Sequence, residues 1–174
     1  MIELSIILIG SILIVYYSRF SLQKPGSYGF FRFFAWEIIL IQFTFDRIGW
    51  FTNIFAWYQC MSWILLLISI LLLIEGVHLI RKHGKSATTF ENTTKLVMIG
   101  IYRFIRHPMY ASLLFLSWGL FFKSPSPLDF SFSMISWFFL YATARIDENG
   151  CIYKFGSDYL DYMKKTKMFI PYIF

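Results

Sequence analysis

Apolar positions along the chain gather into segments separated by short polar breaks. The first segment runs from about Leu4 to Tyr17, and the second from about Gly29 to Phe45, with Lys24, Pro25 and Gly26 between them supplying turn chemistry. The second is rich in aromatics and carries Arg32 near its start and Glu37 inside it. A short link with Asp46, Arg47 and Asn53 leads to the clearest membrane span, about Ile54 to Ile74, whose centre from Trp63 to Ile68 has no charge. Glu75 to Ile105 is the longest polar stretch, too long for a plain connector. The chain is apolar again from Met109 to Phe122, breaks at Lys123-Ser124-Pro125-Ser126-Pro127, and resumes from Phe130 to Ala142. These last two segments predict a tight helical hairpin. Each is short for a full crossing, which implies extension into the flanking residues or a locally thinner bilayer.

Composition turns this pattern into a membrane reading: 57% of the residues are apolar, 22% aromatic and only 15% charged. A chain of 174 residues has room for four to six spans of about 20 residues and for no separate soluble domain. The expected architecture is all-α and polytopic. It has about five transmembrane helices, a helical hairpin before a cytoplasmic tail, and one domain over 1–174, in which 1–80 are N-terminal spans and 81–174 the core. Met1 to Tyr17 lacks a basic region and a small-residue cleavage site, so it reads as a retained span. Cys60 and Cys151 are far apart, one in an apolar run and one in the tail, and indicate neither a disulfide framework nor a metal site.

Charge then orients the spans. The polar stretch after the third span holds Arg81, Lys82, Lys85, Lys95 and Arg103, with Arg106 at its edge, and the tail adds Arg145, Lys154, Lys164, Lys165 and Lys167. Together they are eleven of the sixteen basic residues, which places both regions on the cytoplasmic side. The net charge of +6 is thus mainly topological, with attraction to anionic lipids using the same residues. No nucleic-acid motif accompanies it.

The stretch from Leu96 to Tyr110 concentrates the chemistry. Pro108 disfavours helical geometry at His107, so a helix should start at Pro108 with His107 outside it. Arg106 and His107 then stand at a helix mouth whose free N–H groups favour a carboxylate or phosphate. Tyr110 lies in the first turn, and Gly100 offers a flexible point before Ile101 and Tyr102. Arg, His and Tyr could also serve as an interfacial anchor. Gly, Tyr, Arg, His, Pro and Tyr within eleven positions, behind an oversized polar loop, favour a binding site. Glu37 is left open between a functional carboxyl, a protonated one and a partner of Arg32.

Leu96-Val97, Gly100-Ile101-Tyr102 and Arg106-His107-Pro108-Met109-Tyr110 resemble the signature of the isoprenylcysteine carboxyl methyltransferases and related membrane methyltransferases, including phospholipid methyltransferases. Asp147-Glu148, Phe155-Gly156, Tyr159, Tyr162 and Ile170-Pro171 extend the resemblance through the tail, at the spacing of that family. It covers about Arg81 to Phe174.

The resemblance implies a membrane enzyme that binds S-adenosylmethionine in a cytoplasm-facing pocket and methylates a lipophilic substrate arriving from the bilayer, an isoprenylcysteine-like carboxylate foremost. Leu96, Val97, Tyr102, His107, Pro108, Met109, Tyr110, Asp147 and Glu148 would then bind the cofactor, and Arg106 and Arg145 would act on the substrate. Asp147 falls where the family has a Glu, and Thr143 where better-known members have a substrate-binding Arg, which leaves the acceptor open. Other readings are a phospholipid N-methyltransferase, a nicotinamide-dependent membrane reductase, and a non-catalytic lipid-binding protein. Membrane lipids are expected partners and nucleic acid is not.

Overall fold

The computed structural model describes residues 2–45, 50–51, 53–85 and 93–173; the expected link at Asp46 and Arg47 lies outside them, as does 86–92 of the long polar stretch. Among these residues six α-helices form: α1 (Ile2–Leu22), α2 (Tyr28–Phe45), α3 (Trp57–His83), α4 (Pro108–Phe121), α5 (Pro127–Phe155) and α6 (Ser157–Lys165), with a 3₁₀ turn at Gly100–Arg103. Among the described residues there is no strand beyond isolated bridges.

Two helices outrun the apolar segments that announced them. α3 continues past Ile74 to His83, and α5 continues past Ala142 to Phe155. Apolar runs mark what a bilayer covers, whereas Glu, Arg and Lys are good helix formers that carry a helix on into water. Arg81, Lys82 and His83 also fill the last turn of α3, where cations oppose the negative end of the helix dipole. At 27 and 29 residues, α3 and α5 are about 40 Å long, more than the roughly 30 Å of hydrocarbon. Proline sets the start of both hairpin helices, at Pro108 and at Pro127. Ser126 caps α5 by accepting from the Asp129 N–H at 3.1 Å.

The helices pack in the order α1, α2, α5, α4, α3, each touching the next. Ala35, Ala111, Leu140 and Ala144 form a fully buried seam in the middle. Small polar residues cross-link it. Ser62 donates to the Gly119 carbonyl (2.7 Å), Ser69 to the Ser112 carbonyl (2.7 Å), and Gln42 of α2 joins Ser117 of α4 (2.9 Å) and Ser133 of α5 (3.1 Å). Such interhelical bonds suit an apolar surrounding, where greasy side chains alone give helices little reason to associate. The outward faces of α1 and α3 are apolar and open, with Leu8, Ile12, Ile64, Leu67 and Leu71 all exposed. Such a surface belongs to a membrane protein. Glu3–Leu22 and Trp57–His83 are long and apolar enough to cross, and α4 is a shorter apolar helix.

Glu37, left open by the sequence, accepts a hydrogen bond from Ser11 of α1 at 2.7 Å. At the other end of α5, Gly156 sits at φ 59°, ψ −133°, backbone that only glycine adopts readily, and the chain turns there into α6. α6 then lays Tyr159 and Tyr162 back against the bundle.

Candidate active site

The site is assembled where the tail returns to the start of α4. His107 stands just outside that helix at φ −123°, ψ 62°, clear of the helical region that the following proline disfavours. Ile105 and Lys167 form a parallel bridge. Around it the Arg106 N–H donates to the Lys167 carbonyl (2.8 Å), the Lys167 N–H to Phe104 (3.0 Å) and the His107 N–H to Met168 (3.2 Å). The other side of the loop rests on α3. Gly100 has φ +56°, and a Cβ there would lie 2.5 Å from Leu79 Cδ1, so close packing and backbone both call for glycine. Next to it, the Ile101 N–H donates to Glu75 (3.0 Å) and the Tyr102 hydroxyl to the Gly76 carbonyl (3.3 Å).

Within this frame the charges interlock. Arg106 and Glu148 have side chains only 9% and 2% exposed and meet through Nε and Oε1 at 2.7 Å. Arg106 Nη1 also donates to the carbonyls of Thr166 (2.5 Å) and Met163 (3.4 Å). The His107 ring lies between two acids, with Nε2 3.5 Å from Glu148 Oε1 and Nδ1 3.8 Å from Asp147 Oδ2. It stacks on Tyr110 at 5.4 Å, and the Tyr110 hydroxyl donates to Asp147 Oδ2 at 3.2 Å. Burial pushes the Glu148 carboxyl up, but the contacts of His107 and Arg106 outweigh it and hold the group below its ordinary value. Glu148 is therefore an anion whose charge is spent inside the protein.

Asp147 is different. Its side chain is 31% exposed and lines an open cleft. Leu96, Val97, Tyr102, Arg106, His107, Pro108, Met109 and Tyr110 line the same cleft. Two residues named from the sequence do not: Glu148 sits behind the wall, and Arg145, 57% exposed, leans on Glu148 at 3.5 Å.

Tyr28, Thr93, Cys151, Phe155, Tyr159 and Tyr162 complete the lining. Cys151 and Phe155 follow Asp147 at helical spacing and become visible once α5 is carried past Ala142. Tyr28, at the first position of α2, has no such signal. Burial raises the phenols of Tyr102, Tyr159 and Tyr162 above their ordinary value, so they face the cleft as neutral groups. The Cys151 thiol is pushed up to about 12 by burial and then by the Asp147 charge, which keeps it protonated and a poor nucleophile. Among the described residues the cleft thus offers one carboxylate, aromatic faces and an apolar edge at Leu96 and Val97.

The sequence model of the phospholipid methyltransferase family matches residues 57–156, more than half of the chain and all of α3, α4 and α5. The chain belongs to that family. Among curated proteins of this kind, it is similar to methanethiol S-methyltransferase 1 of Bradyrhizobium diazoefficiens, 27% identical over 99 residues, covering 56% of this chain and 33% of that protein. It is also similar to the protein-S-isoprenylcysteine O-methyltransferase of Xenopus laevis, 33% identical over 79 residues, 45% of this chain and 27% of that protein. A probable protein-S-isoprenylcysteine O-methyltransferase of Oryza sativa subsp. indica is 30% identical over 97 residues, 55% of this chain and 48% of that protein. The matches span less than half the length of each relative. No solved structure matches the chain.

Proposed function

We propose that this chain is a methyltransferase that moves a methyl group from S-adenosylmethionine to a lipophilic acceptor, with an isoprenylcysteine-like carboxylate as the favoured acceptor. The observation that carries the reading is Asp147, a carboxylate on an aromatic-lined cleft wall, backed by a buried Arg106–Glu148 pair inside the segment shared with the family. The donor set fits the cofactor: Asp147 suits its ammonium, Tyr102 and Tyr110 suit adenine or sulfonium, and Leu96 and Val97 supply an apolar edge. Bound in the cleft, S-adenosylmethionine would supply an electrophilic methyl on sulfur.

The rest falls to the protein. Methyl transfer is an in-line displacement that asks for alignment and exclusion of water. Glu148 and the tail carbonyls hold Arg106 as a fixed positive charge at the wall, and Arg145 stands at the exposed lip, so each can steer a carboxylate. In this reading α1 to α5 all span the bilayer, the cleft faces the cytoplasm and the whole of 1–174 is one domain. An amine or thiol acceptor must also lose a proton, and His107 with Asp147 would receive it. Methyl transfer to a thiol is the reaction named for the Bradyrhizobium relative, which makes a thiol acceptor the second reading.

Purified protein in detergent should bind labelled S-adenosylmethionine saturably and pass the label to an extractable lipophilic product. A base-labile product marks an ester, and a base-stable one an amine or thioether. Absence of saturable binding, or binding of a nicotinamide nucleotide in its place, would overturn the reading.

A further inference from the structure

A second cleft lies against the backbone pairing that shapes the active site. Arg103 and Phe104 line it from the 3₁₀ turn, Lys164, Lys165 and Lys167 from the end of α6 and just beyond, and Tyr172 from the tail. It shares no lining residue with the Asp147 cleft. The Lys167 N–H, donating to the Phe104 carbonyl at 3.0 Å, and the Arg106 N–H, donating to the Lys167 carbonyl at 2.8 Å, join its two walls. Four cations therefore line one space, and among the described residues only Lys164 has an acid partner, Asp161 at 2.7 Å. The carbonyls of Met163 and Thr166, which would offset this charge, already accept from Arg106. Like charges so arranged repel across the pairing, and an anion set among them replaces that repulsion with charge-assisted hydrogen bonds.

The rim indicates which anion. Tyr172 and Ile173 are 82% and 75% exposed and Phe104 40%, so large apolar side chains lie uncovered beside the cations. Tyr172 holds φ 64°, a left-handed backbone uncommon for a tyrosine, and its ring meets Phe104 edge-on at 6.2 Å. Aromatic and apolar groups next to lysine and arginine are what a bilayer meets at its headgroup level, where basic pockets take lipid phosphates. A soluble anion gains nothing from the apolar rim, whereas a phospholipid covers it with its own apolar body.

We propose that this cleft binds the phosphate of an anionic phospholipid headgroup and so braces the pairing of the 3₁₀ turn with the tail. The site stands whether or not the methyl-transfer reading does, and its test reads lipid binding and unfolding alone. The full chain in neutral detergent micelles is titrated at fixed ionic strength with phosphatidylglycerol carrying a fluorophore on its acyl chain, against phosphatidylcholine labelled the same way, and binding is read by anisotropy. Phosphatidylglycerol should bind about tenfold or more tightly, the scale of one charge-assisted hydrogen bond. Arg103→Gln with Lys167→Gln should bring the two lipids to within about twofold, whereas Lys82→Gln with Lys95→Gln, which removes the same charge outside the cleft, should keep the preference. Should the first pair fail to fold, Lys165→Gln alone should lower the preference about fivefold. Unlabelled phosphatidylglycerol should also raise the unfolding midpoint of the parent above its value in phosphatidylcholine, an effect lost in the Arg103 and Lys167 variant. An equal loss of preference in both double variants would reduce the effect to a diffuse surface potential and overturn the site, as would a parent that shows neither preference nor stabilisation. Displacement of the labelled lipid by inorganic phosphate below the millimolar range would make the cleft a free-phosphate site and overturn the choice of lipid.

Discussion

Buried cations sit at both ends of α4, in surroundings that differ in kind. Before the first turn, Arg106 meets a buried acid, two backbone carbonyls, a histidine between two carboxylates and an open cleft. Beyond the last turn, Lys123 is 1% exposed, its Nζ 3.0 Å from Gln59 Oε1 and 3.3 Å from the centre of the Trp63 ring, with Trp50 at 5.3 Å. Gln59 Nε2 donates back to the Lys123 carbonyl at 2.9 Å, which closes a clasp between α3 and the hairpin. Among the described residues the partners of Lys123 are neutral, and none of them brings a carboxylate to a cavity wall. At the other end a second acid, Asp147, stands beside the buried pair, 31% exposed on the cleft wall with His107 and Tyr110 against it. Burial of a charge does not make a site. A buried pair next to a half-exposed carboxylate on a cleft wall does.

The comparison breaks most forcefully at Glu148. Glu148→Ala would strand Arg106 in the interior, and loss of one partner of a buried pair costs about 3–5 kcal/mol. Unfolding in detergent should shift accordingly, with cofactor binding lost alongside; a variant as stable as the parent would mean that the Arg106 cluster is no clamp. Acid titration sharpens the point. The Glu148 carboxyl is held below its ordinary value, so its share of the stability is fully present above that value and fades as pH falls through the lowered one. In Glu148→Gln that acid limb should flatten.

Asp147→Asn comes next and tests the division of labour between the two acids. Loss of a charge-assisted contact of about 1.5–3 kcal/mol should weaken S-adenosylmethionine binding roughly tenfold to a hundredfold. The unfolding midpoint should hardly move, because Asp147 is the exposed member of the pair. Lys123→Met should do the reverse: it removes the charge-assisted hydrogen bond to Gln59 Oε1, at about 1–2 kcal/mol of stability, with donor affinity unchanged. Loss of donor affinity in that variant would erase the distinction between the two ends.

The cleft end was largely legible in the sequence and the clasp was not. Pro108 fixes the start of α4 by local sterics, and the resemblance aligned Asp147 with Tyr110, so local rules and spacing brought the main lining residues together. What spacing could not tell is which of two adjacent acids looks outward. Asp147 and Glu148 differ by about 100° around the helix, and only the approach of α6 and the tail carbonyls, which engage Arg106, buries Glu148 and leaves Asp147 at the cleft. Lys123 read as a helix-breaking turn residue, because its partners Gln59 and Trp63 are some sixty positions earlier and join it only when α3 and α4 pack. The length of α5 escaped for another reason: hydropathy reports the bilayer and not the helix.

Tyr110 offers the finest test of the contrast. Its hydroxyl donates to Asp147 and its ring stacks on His107, so Tyr110→Phe deletes the hydrogen bond and keeps the stack. Asp147 would keep its charge but lose one of the groups that aim it, worth about 0.5–1.5 kcal/mol. If Asp147 holds the cofactor ammonium, affinity for S-adenosylmethionine should fall by about two- to tenfold, smaller than in Asp147→Asn, with little change in unfolding. Combined with Asp147→Asn the two losses should add to less than their sum, since a hydroxyl that acts through a carboxylate has nothing to aim once the charge is gone. Full additivity, measured by equilibrium binding across the four proteins, would mean that Tyr110 contacts the cofactor independently through its ring.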